Sequence, residues 1–256
     1  MSEFDKYNAE TVFKTQAVRD LCSQLALALR AAAAHGLSEG VCNHMSMAVP
    51  ETRFFLLNPR GMLWSEVRGK DIVIVDESGT KLAGLHQVER TAMHIHAAIH
   101  RIANKKCVMH THMPYSTALT VVDCEGADHP FNTMLSQNSM RFHKRVGVDN
   151  CYNGFASDVV EGERIARSMA DASGGYHDVL FLGNHGVVVC GDRIDHTYVD
   201  LYYLERACQL QVLAMSTGRP LRPVADEAVA MKVQQETADD VKQSELFFLA
   251  LRRTLG

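Results

Sequence analysis

The 256-residue sequence lacks long apolar runs and has no marked excess of charge of either sign. Nowhere do about 18 apolar residues follow one another, which is the length that suggests a membrane-spanning helix. The first residues, MSEFDKYNAETVFKTQ, contain no basic segment followed by an apolar one, so we expect neither a secretory signal nor a membrane partner. Lys and Arg number 26 against 30 Asp and Glu, a formal charge of −4 that gives no electrostatic reason to expect nucleic-acid binding. A small-molecule partner is the better expectation.

The cysteines show no disulfide or metal-binding pattern. There are seven of them, with no C-x-x-C pair and without the density of a secreted scaffold: Cys22, Cys42, Cys107, Cys124, Cys151, Cys190 and Cys208. We therefore predict reduced, mostly buried thiols in a cytoplasmic protein. The composition, 46% hydrophobic and 22% charged, is typical of a globular chain with a sizeable core.

Helical and β-rich segments alternate along the chain. Apolar spacing predicts helices at 17–35, 89–103, 158–172, 194–217 and 226–253, with a shorter one after Pro114. Short β-rich runs fall between 40 and 76, at 107–112 and at 178–192. The alternation predicts a layered α/β fold in one domain over residues 1–256, with an N-terminal extension at 1–16 and a C-terminal helical segment at 223–256.

Histidine is the residue in excess, with thirteen copies. His110 and His112 lie two residues apart at the end of a predicted strand, so both side chains leave the same face. That pair can present two nitrogens to one metal, although polar residues at a strand end fit equally well if the pair stands alone. His185 lies between Gly183-Asn184 and Gly186 after the apolar run VLFL, where a turn residue without a ligand role is the plainer interpretation. Together the two segments offer the three protein ligands of an open zinc site.

Three other histidines lie on the helix at 89–103. His96 and His100 are four residues apart on one face, but the glutamate of an H-E-x-x-H motif is missing. We therefore expect them to pack or to donate supporting hydrogen bonds. His94 lies on a different face and is a candidate for the metal pocket.

The segment HIHAAIHRIANKKCVMHTHMPYSTALT, followed by FLGNHGVVVCGD, resembles the class II aldolase/adducin family. The resemblance covers roughly residues 17–216. It implies that His110, His112 and His185 bind a divalent ion, usually Zn²⁺, with Mn²⁺, Co²⁺ or Fe²⁺ as alternatives. It also implies a three-layer α/β/α sandwich with a central, largely antiparallel sheet, and a homotetramer with active sites at subunit interfaces.

The resemblance also suggests roles for individual residues. Aldolases of the family use a glutamate ahead of this helix as a metal ligand and acid/base, which corresponds to Glu89. A carboxylate favoured by the helix dipole is the alternative. Tyr152 is a candidate second proton donor, or a tyrosine satisfied by one hydrogen bond. Asn43 and Ser46 are expected to line the substrate loop.

Two departures from the family pattern concern phosphate binding. Sugar-phosphate members have stretches resembling G-T-S-G-N-I-S and T-P-S-G, where this chain has 40–46 (GVCNHMS) and 58–61 (NPRG). These changes argue against a phosphorylated sugar and an epimerase, while Arg60 could hold a carboxylate with its forked donors. Asn184 is a further substrate-binding candidate. Gln137, Asn138 and Arg141 could reach a neighbouring subunit's site.

The predicted function is that of a zinc-dependent lyase on a small unphosphorylated hydroxy-carbonyl or hydroxy-acid substrate. Aldol cleavage and decarboxylation both pass through an enolate that a metal can stabilise, and the sequence does not choose between them. The alternative is a non-catalytic oligomerisation module, as in the head domains of adducins. Because those heads are expected to lack an intact histidine set, the enzyme is favoured.

Overall fold

The computed structural model describes residues 3–123 and 130–256, so Cys124 lies outside the described residues. The helices are α1 Glu3–Phe13, α2 Gln16–Ala34, α3 Arg90–Ile102, α4 Pro114–Thr120, α5 Gln137–Met140, α6 Val159–Arg167, α7 Ile194–Met215, α8 Glu227–Asp239 and α9 Val241–Leu255. The strands are β1 His44–Ala48, β2 Phe55–Leu57, β3 Val73–Val75, β4 Lys81–Ala83, β5 Cys107–Thr111, β6 Val146–Asp149, β7 Val179–Leu182 and β8 Gly186–Gly191.

The strands form one sheet in the order β4-β3-β2-β1-β5-β8-β7-β6. Every neighbouring pair is antiparallel except β6 and β7, which are parallel. The expectation of an α/β fold with a largely antiparallel sheet is confirmed. Strand β5 lies between β1 and β8 in the middle of the sheet, so residues at the same end of these three strands can meet.

Strand alternation sends successive β5 side chains to opposite faces of the sheet. Cys107 and Met109 join a core with residues of α2, α7 and α9, whereas Val108 packs with residues of α3 and α6. The helices thus cover both faces and give three layers. Since His110 shares the parity of Val108, it lies on the α3 side.

The segment boundaries differ from the sequence expectations in several places. The extension at 1–16 contains helix α1, and the helix expected at 226–253 is divided between α8 and α9. Asp240 leaves the helical region (φ −81°, ψ 60°) and its carboxylate accepts from the Gln243 N–H, so it caps α9. Helix α6 ends at Arg167, short of the expected end at 172. Beyond it the Met169 and Ala170 N–H groups donate to carbonyl oxygens three residues back, and Ala170 forms an antiparallel bridge with Tyr176.

The cysteines in the described parts of the chain are free thiols. Cys22, Cys107, Cys190 and Cys208 are buried and free, whereas Cys42 and Cys151 are exposed and free. Over the residues 3–123 and 130–256, no helix is long and apolar enough to cross a membrane.

Candidate metal centre

His110 is held on β5 by a hydrogen bond across the sheet. Its Nδ1 lies 3.0 Å from the carbonyl oxygen of Val187 on β8. Because a carbonyl only accepts, the proton is assigned to Nδ1, and Nε2 keeps its lone pair. Burial, reinforced by the neighbouring histidines, holds the pKa of His110 well below its ordinary value. The side chain is therefore a neutral nitrogen donor.

His112 follows β5 and is oriented by a carboxylate. Its Nδ1 lies 2.7 Å from Oε2 of Glu39, so the proton is again assigned to Nδ1. The Nε2 atom is buried and has no hydrogen-bond partner among the residues that the structure describes. Metal-binding histidines typically donate one ring N–H to a carboxylate and leave the other ring nitrogen free for the metal, which is the arrangement of Glu39 and His112.

His185 lies in the three-residue loop between β7 and β8. Asn184 supplies the turn with φ 56°, a left-handed conformation that asparagine tolerates better than most residues. At Gly186, an added Cβ would lie 2.6 Å from the Thr111 oxygen and 2.8 Å from Cδ2 of His112. Only glycine allows this approach of β8 to the end of β5, and the approach brings His185 beside His112.

The three imidazoles meet where β5 ends and β8 begins, in the middle of the sheet. One ring nitrogen of each lies within 4.8 Å of the others, in a group comprising His110, His112 and His185. Burial, followed by the charge of His112, lowers the pKa of His185 to about 4. Metal binding requires neutral imidazoles. Three imidazoles, two with assigned free Nε2 atoms, fit a divalent ion such as zinc.

A cleft of about 390 Å³ opens beside this cluster. In addition to the three histidines, its walls include apolar and polar side chains: Val41, Ile95, Phe155, His44, Arg60 and Glu89. The Nε atom of Arg60 lies 2.9 Å from Oε2 of Glu89, and these side chains are 62% and 30% exposed. The structure thus places Arg60 and Glu89 on the wall of the same cleft as the cluster, and their roles in substrate binding and proton transfer stay predictions.

Tyr152 and Asn184, two further residues predicted for the site, lie in different places. The half-exposed ring of Tyr152 has its centroid 6.2 Å from that of His185. Asn184 instead lines a separate cavity of about 350 Å³ with Thr120 and Asp123, and its N–H donates to the Thr120 oxygen. The structure therefore does not place Asn184 on the cleft wall.

The two residues expected to line a substrate loop are buried. Oδ1 of Asn43 accepts the Glu39 N–H at 2.7 Å, which fixes the loop that carries Glu39, while its Nδ2 has no partner among the residues described. Substrate contact by Asn43 stays a prediction. The Ser46 hydroxyl lies 2.6 Å from Nδ1 of His96 and 2.8 Å from Nε2 of His100. Ser46 is thus engaged inside the fold and does not line the cleft.

The hydrogen bonds of the α3 histidines agree with a supporting role. His100 Nδ1 donates to the Lys105 carbonyl at 2.6 Å, so its Nε2 accepts the Ser46 hydroxyl. The serine oxygen then accepts from Nδ1 of His96. His94 lies elsewhere, where α3 crosses α6, since a Cβ added at Gly162 would overlap the His94 carbonyl oxygen. His94 does not line the cleft.

Sequence reasoning missed Glu39 and His44. Glu39 lies in an irregular loop, 73 residues from His112, and no periodicity links the two. His44 lies opposite His110 in the pairing of β1 with β5. The strand register, which a single sequence does not reveal, brings His44 to the site, and the path of the loop before β1 brings Glu39 there.

The fold and the site together define a class of protein: an α/β protein with a three-histidine candidate metal centre at one end of its central strands. A family model for the class II aldolase and adducin N-terminal domain matches residues 23–212. The chain belongs to this family.

Individual relatives cover both branches of the family. A Pseudomonas aeruginosa protein whose name assigns it to aldolase class 2 is 32% identical over 208 residues, 80% of this chain and 76% of the relative. Alpha-adducin of Rattus norvegicus is 30% identical over 77% of this chain, which spans 26% of the adducin. The crystal structure of an aldolase II superfamily protein from Pseudomonas syringae has a TM-score of 0.81 at 29% identity, covering 94% of each chain.

Proposed function

We propose that this protein is a metal-dependent lyase that breaks a carbon–carbon bond in a small, unphosphorylated hydroxy-carbonyl or hydroxy-acid substrate. The observation that carries the proposal is the convergence of three imidazoles, with ring nitrogens within 4.8 Å of one another, on a cleft that Arg60 and Glu89 also line. Such a site suits aldol cleavage or decarboxylation, both of which develop negative charge beside a carbonyl group.

The histidines would hold the metal, with zinc preferred and manganese or cobalt as alternatives. Three neutral ligands leave the full charge of a divalent ion in place, and the bound ion supplies Lewis-acid stabilisation of developing negative charge. His110 and His112 are oriented for this by Val187 and Glu39. The fixed tautomers keep the Nε2 atoms available without reorganisation.

The other cleft residues have separate tasks in this proposal. Arg60 binds a substrate carboxylate through its forked donors, for which Glu89 holds the guanidinium in position. Glu89 also accepts or returns a proton at the reacting carbon, and the Tyr152 hydroxyl serves as a second donor. The apolar side chains Val41, Ile95 and Phe155 line the cleft and offer apolar contacts to the substrate's carbon skeleton.

The chain as a whole is proposed to form one domain over residues 1–256 that works in the cytoplasm as a homo-oligomer, with a tetramer as the specific expectation. A second candidate function is a non-catalytic interaction module, which the similarity to alpha-adducin favours. The two functions make opposite demands on the histidine cluster. A scaffold does not need a metal, whereas the lyase does.

Metal content is the test that separates these functions. Wild type and a His110→Ala/His112→Ala variant would be purified without metal-affinity tags and analysed for elements, with circular dichroism to follow the fold. We expect about one zinc per wild-type chain and none in the variant, because the variant keeps one imidazole of three. No metal in the wild type after zinc loading would overturn the lyase proposal and favour the scaffold.

Glu39→Gln is expected to weaken zinc binding about 10- to 100-fold, because the amide is a poorer acceptor for the His112 Nδ1 proton than the carboxylate. Competition with a chromophoric chelator measures the change. Glu77→Gln, at an exposed turn position outside the cleft, is the matched control and should bind zinc as the wild type does. Equal affinities for all three proteins would contradict a positioning role for Glu39.

A further inference from the structure

We propose that His44 is a ligand-contacting residue of the cleft, whose imidazole forms a hydrogen bond with a hydroxyl or carbonyl oxygen of the substrate. The inference rests on the proposed function and deepens it by naming the group that recognises this oxygen. It arises from the placement of one side chain.

The register of the sheet directs His44 toward the cluster. His44 on β1 lies directly opposite His110 on β5, so their side chains leave the same face of the sheet. The two rings are stacked, with centroids 6.2 Å apart and planes 19° apart. His44 lines the same cleft as the three clustered histidines.

The polar atoms of His44 are unusual in having no partner. The residue is 6% exposed, and neither Nδ1 nor Nε2 has a hydrogen-bond partner within the described parts of the chain. The comparably buried His100 has partners for both nitrogens, Ser46 and Lys105. An unpaired polar group in the interior costs folding free energy, and a site that receives a polar ligand accounts for that cost.

A ligand contact fits better than a fourth metal ligand. The nitrogen atoms within 4.8 Å of one another belong to His110, His112 and His185, and His44 flanks this group. A neutral imidazole offers one donor and one acceptor, which matches a hydroxyl or a carbonyl oxygen. With Arg60 available for a carboxylate on the same cleft, the arrangement favours a substrate that carries both groups, a hydroxy-acid.

Stability of the metal-free protein gives the first test. His44→Phe removes two unpaired nitrogens, so its melting temperature should equal or exceed that of the wild type. His100→Phe removes two hydrogen-bonding nitrogens and should melt several degrees lower. A loss of stability in His44→Phe equal to that in His100→Phe would mean that His44 has a structural role and would overturn the inference. If the larger ring prevents folding, His44→Leu takes its place.

Ligand binding gives the second test. Acetohydroxamate, a small chelating analogue of a hydroxy-carbonyl group, would be titrated into the zinc-loaded proteins by calorimetry. We expect His44→Phe to bind one zinc per chain, as the wild type does, and acetohydroxamate about tenfold more weakly. His44→Asn keeps a donor and an acceptor and should recover part of the affinity.

The outcomes separate the inference from the proposed function. Unchanged acetohydroxamate affinity in His44→Phe, with zinc bound, would overturn the role of His44 and leave the lyase proposal standing. Failure of the zinc-loaded wild type to bind acetohydroxamate would likewise overturn the role of His44. A wild type that binds no zinc would overturn the lyase proposal itself.

Discussion

Replacing Asp200 by alanine is expected to lower the free energy of unfolding by about 3–5 kcal/mol, the usual cost of removing one partner from a buried ion pair. The Asp200 side chain on α7 is 1% exposed and contacts two guanidinium groups. Its Oδ1 accepts from Nε of Arg141, and its Oδ2 accepts from Nη2 of Arg145 at 2.7 Å. The variant would leave both cations without this carboxylate in the interior.

The ion pairs extend beyond Asp200. Nε of Arg145 also donates to Asp178 at 2.8 Å, and Nζ of Lys105 donates to the same carboxylate at 2.7 Å. The series joins α7 to the segment after α5 and to the start of β7. In the variant Arg145 still donates to Asp178, so most of the lost stability comes from Arg141, whose ion pair with Asp200 is removed.

Denaturant unfolding at pH 7 measures the change. Glu236→Ala, which removes an exposed pair with Lys232 at 3.8 Å, is the control and should cost less than about 1 kcal/mol. Asp200→Asn keeps the shape of the side chain, and its loss of unfolding free energy should lie between those of Glu236→Ala and Asp200→Ala. A wild-type stability for Asp200→Ala would contradict the assignment of this network as a major contributor.

The pH dependence of the Asp200 effect has a definite sign. Burial alone would raise the pKa of Asp200, but Arg145 and Arg141 together hold the pKa below its ordinary value. For a carboxyl whose pKa is lowered in the folded state, the stabilisation is present above the unfolded pKa of about 3.9 and is lost as pH falls through the folded pKa. The difference between wild type and variant should therefore shrink below pH 4.

Arg141 shows where a single sequence misleads. Its polar neighbourhood suggested a residue that reaches a neighbouring subunit, but the side chain is buried and paired with Asp200, 59 residues away. A charged residue usually lies at the solvent-exposed surface, and Arg141 can be buried only because a counter-ion far away in the sequence contacts it in the fold. That counter-ion lies within a helix whose apolar spacing gave no sign of it.

The sequence predicted the parts of the site that local pattern determines. The H-x-H spacing at a strand end and the glycines around His185 were enough to bring three imidazoles into consideration, and the structure places their nitrogens together. The layered α/β fold followed from segment alternation. Hydrogen-bond partners that come from other segments did not follow, as Glu39 for His112 and Ser46 for His96 show.

The burial of several histidines leads to the second large expected effect, a steep loss of stability of the metal-free protein below pH 6. Burial lowers the pKa of His44 to about 3 and that of His100 to about 4, and it holds the pKa of His96 well below its ordinary value. Each of these groups stays neutral in the folded state while the unfolded chain binds a proton near pH 6.5.

The sign follows from proton linkage. Below the unfolded pKa the unfolded state binds more protons, so stability falls as pH falls, until the folded pKa is reached. Each group whose folded pKa lies below 5 contributes a slope of about 1.4 kcal/mol per pH unit, so His44, His100 and His185 together give about 4 kcal/mol per unit between pH 6 and 5. The lowered pKa values of His96 and His110 act in the same direction. Carboxylates with lowered pKa values act below this window, whereas Glu205, whose pKa is raised by burial, opposes the histidine slope toward its lower end.

Denaturant unfolding of the metal-free protein at pH 7, 6, 5.5 and 5 would measure this slope. His44→Phe removes one titrating group and should reduce the slope by about 1.4 kcal/mol per pH unit while leaving stability at pH 7 unchanged or higher. A flat profile between pH 7 and 5 would mean that these imidazoles accept protons inside the fold. The combination of a shallower slope and undiminished stability at pH 7 is what distinguishes an unpaired cleft histidine from one that holds the core together.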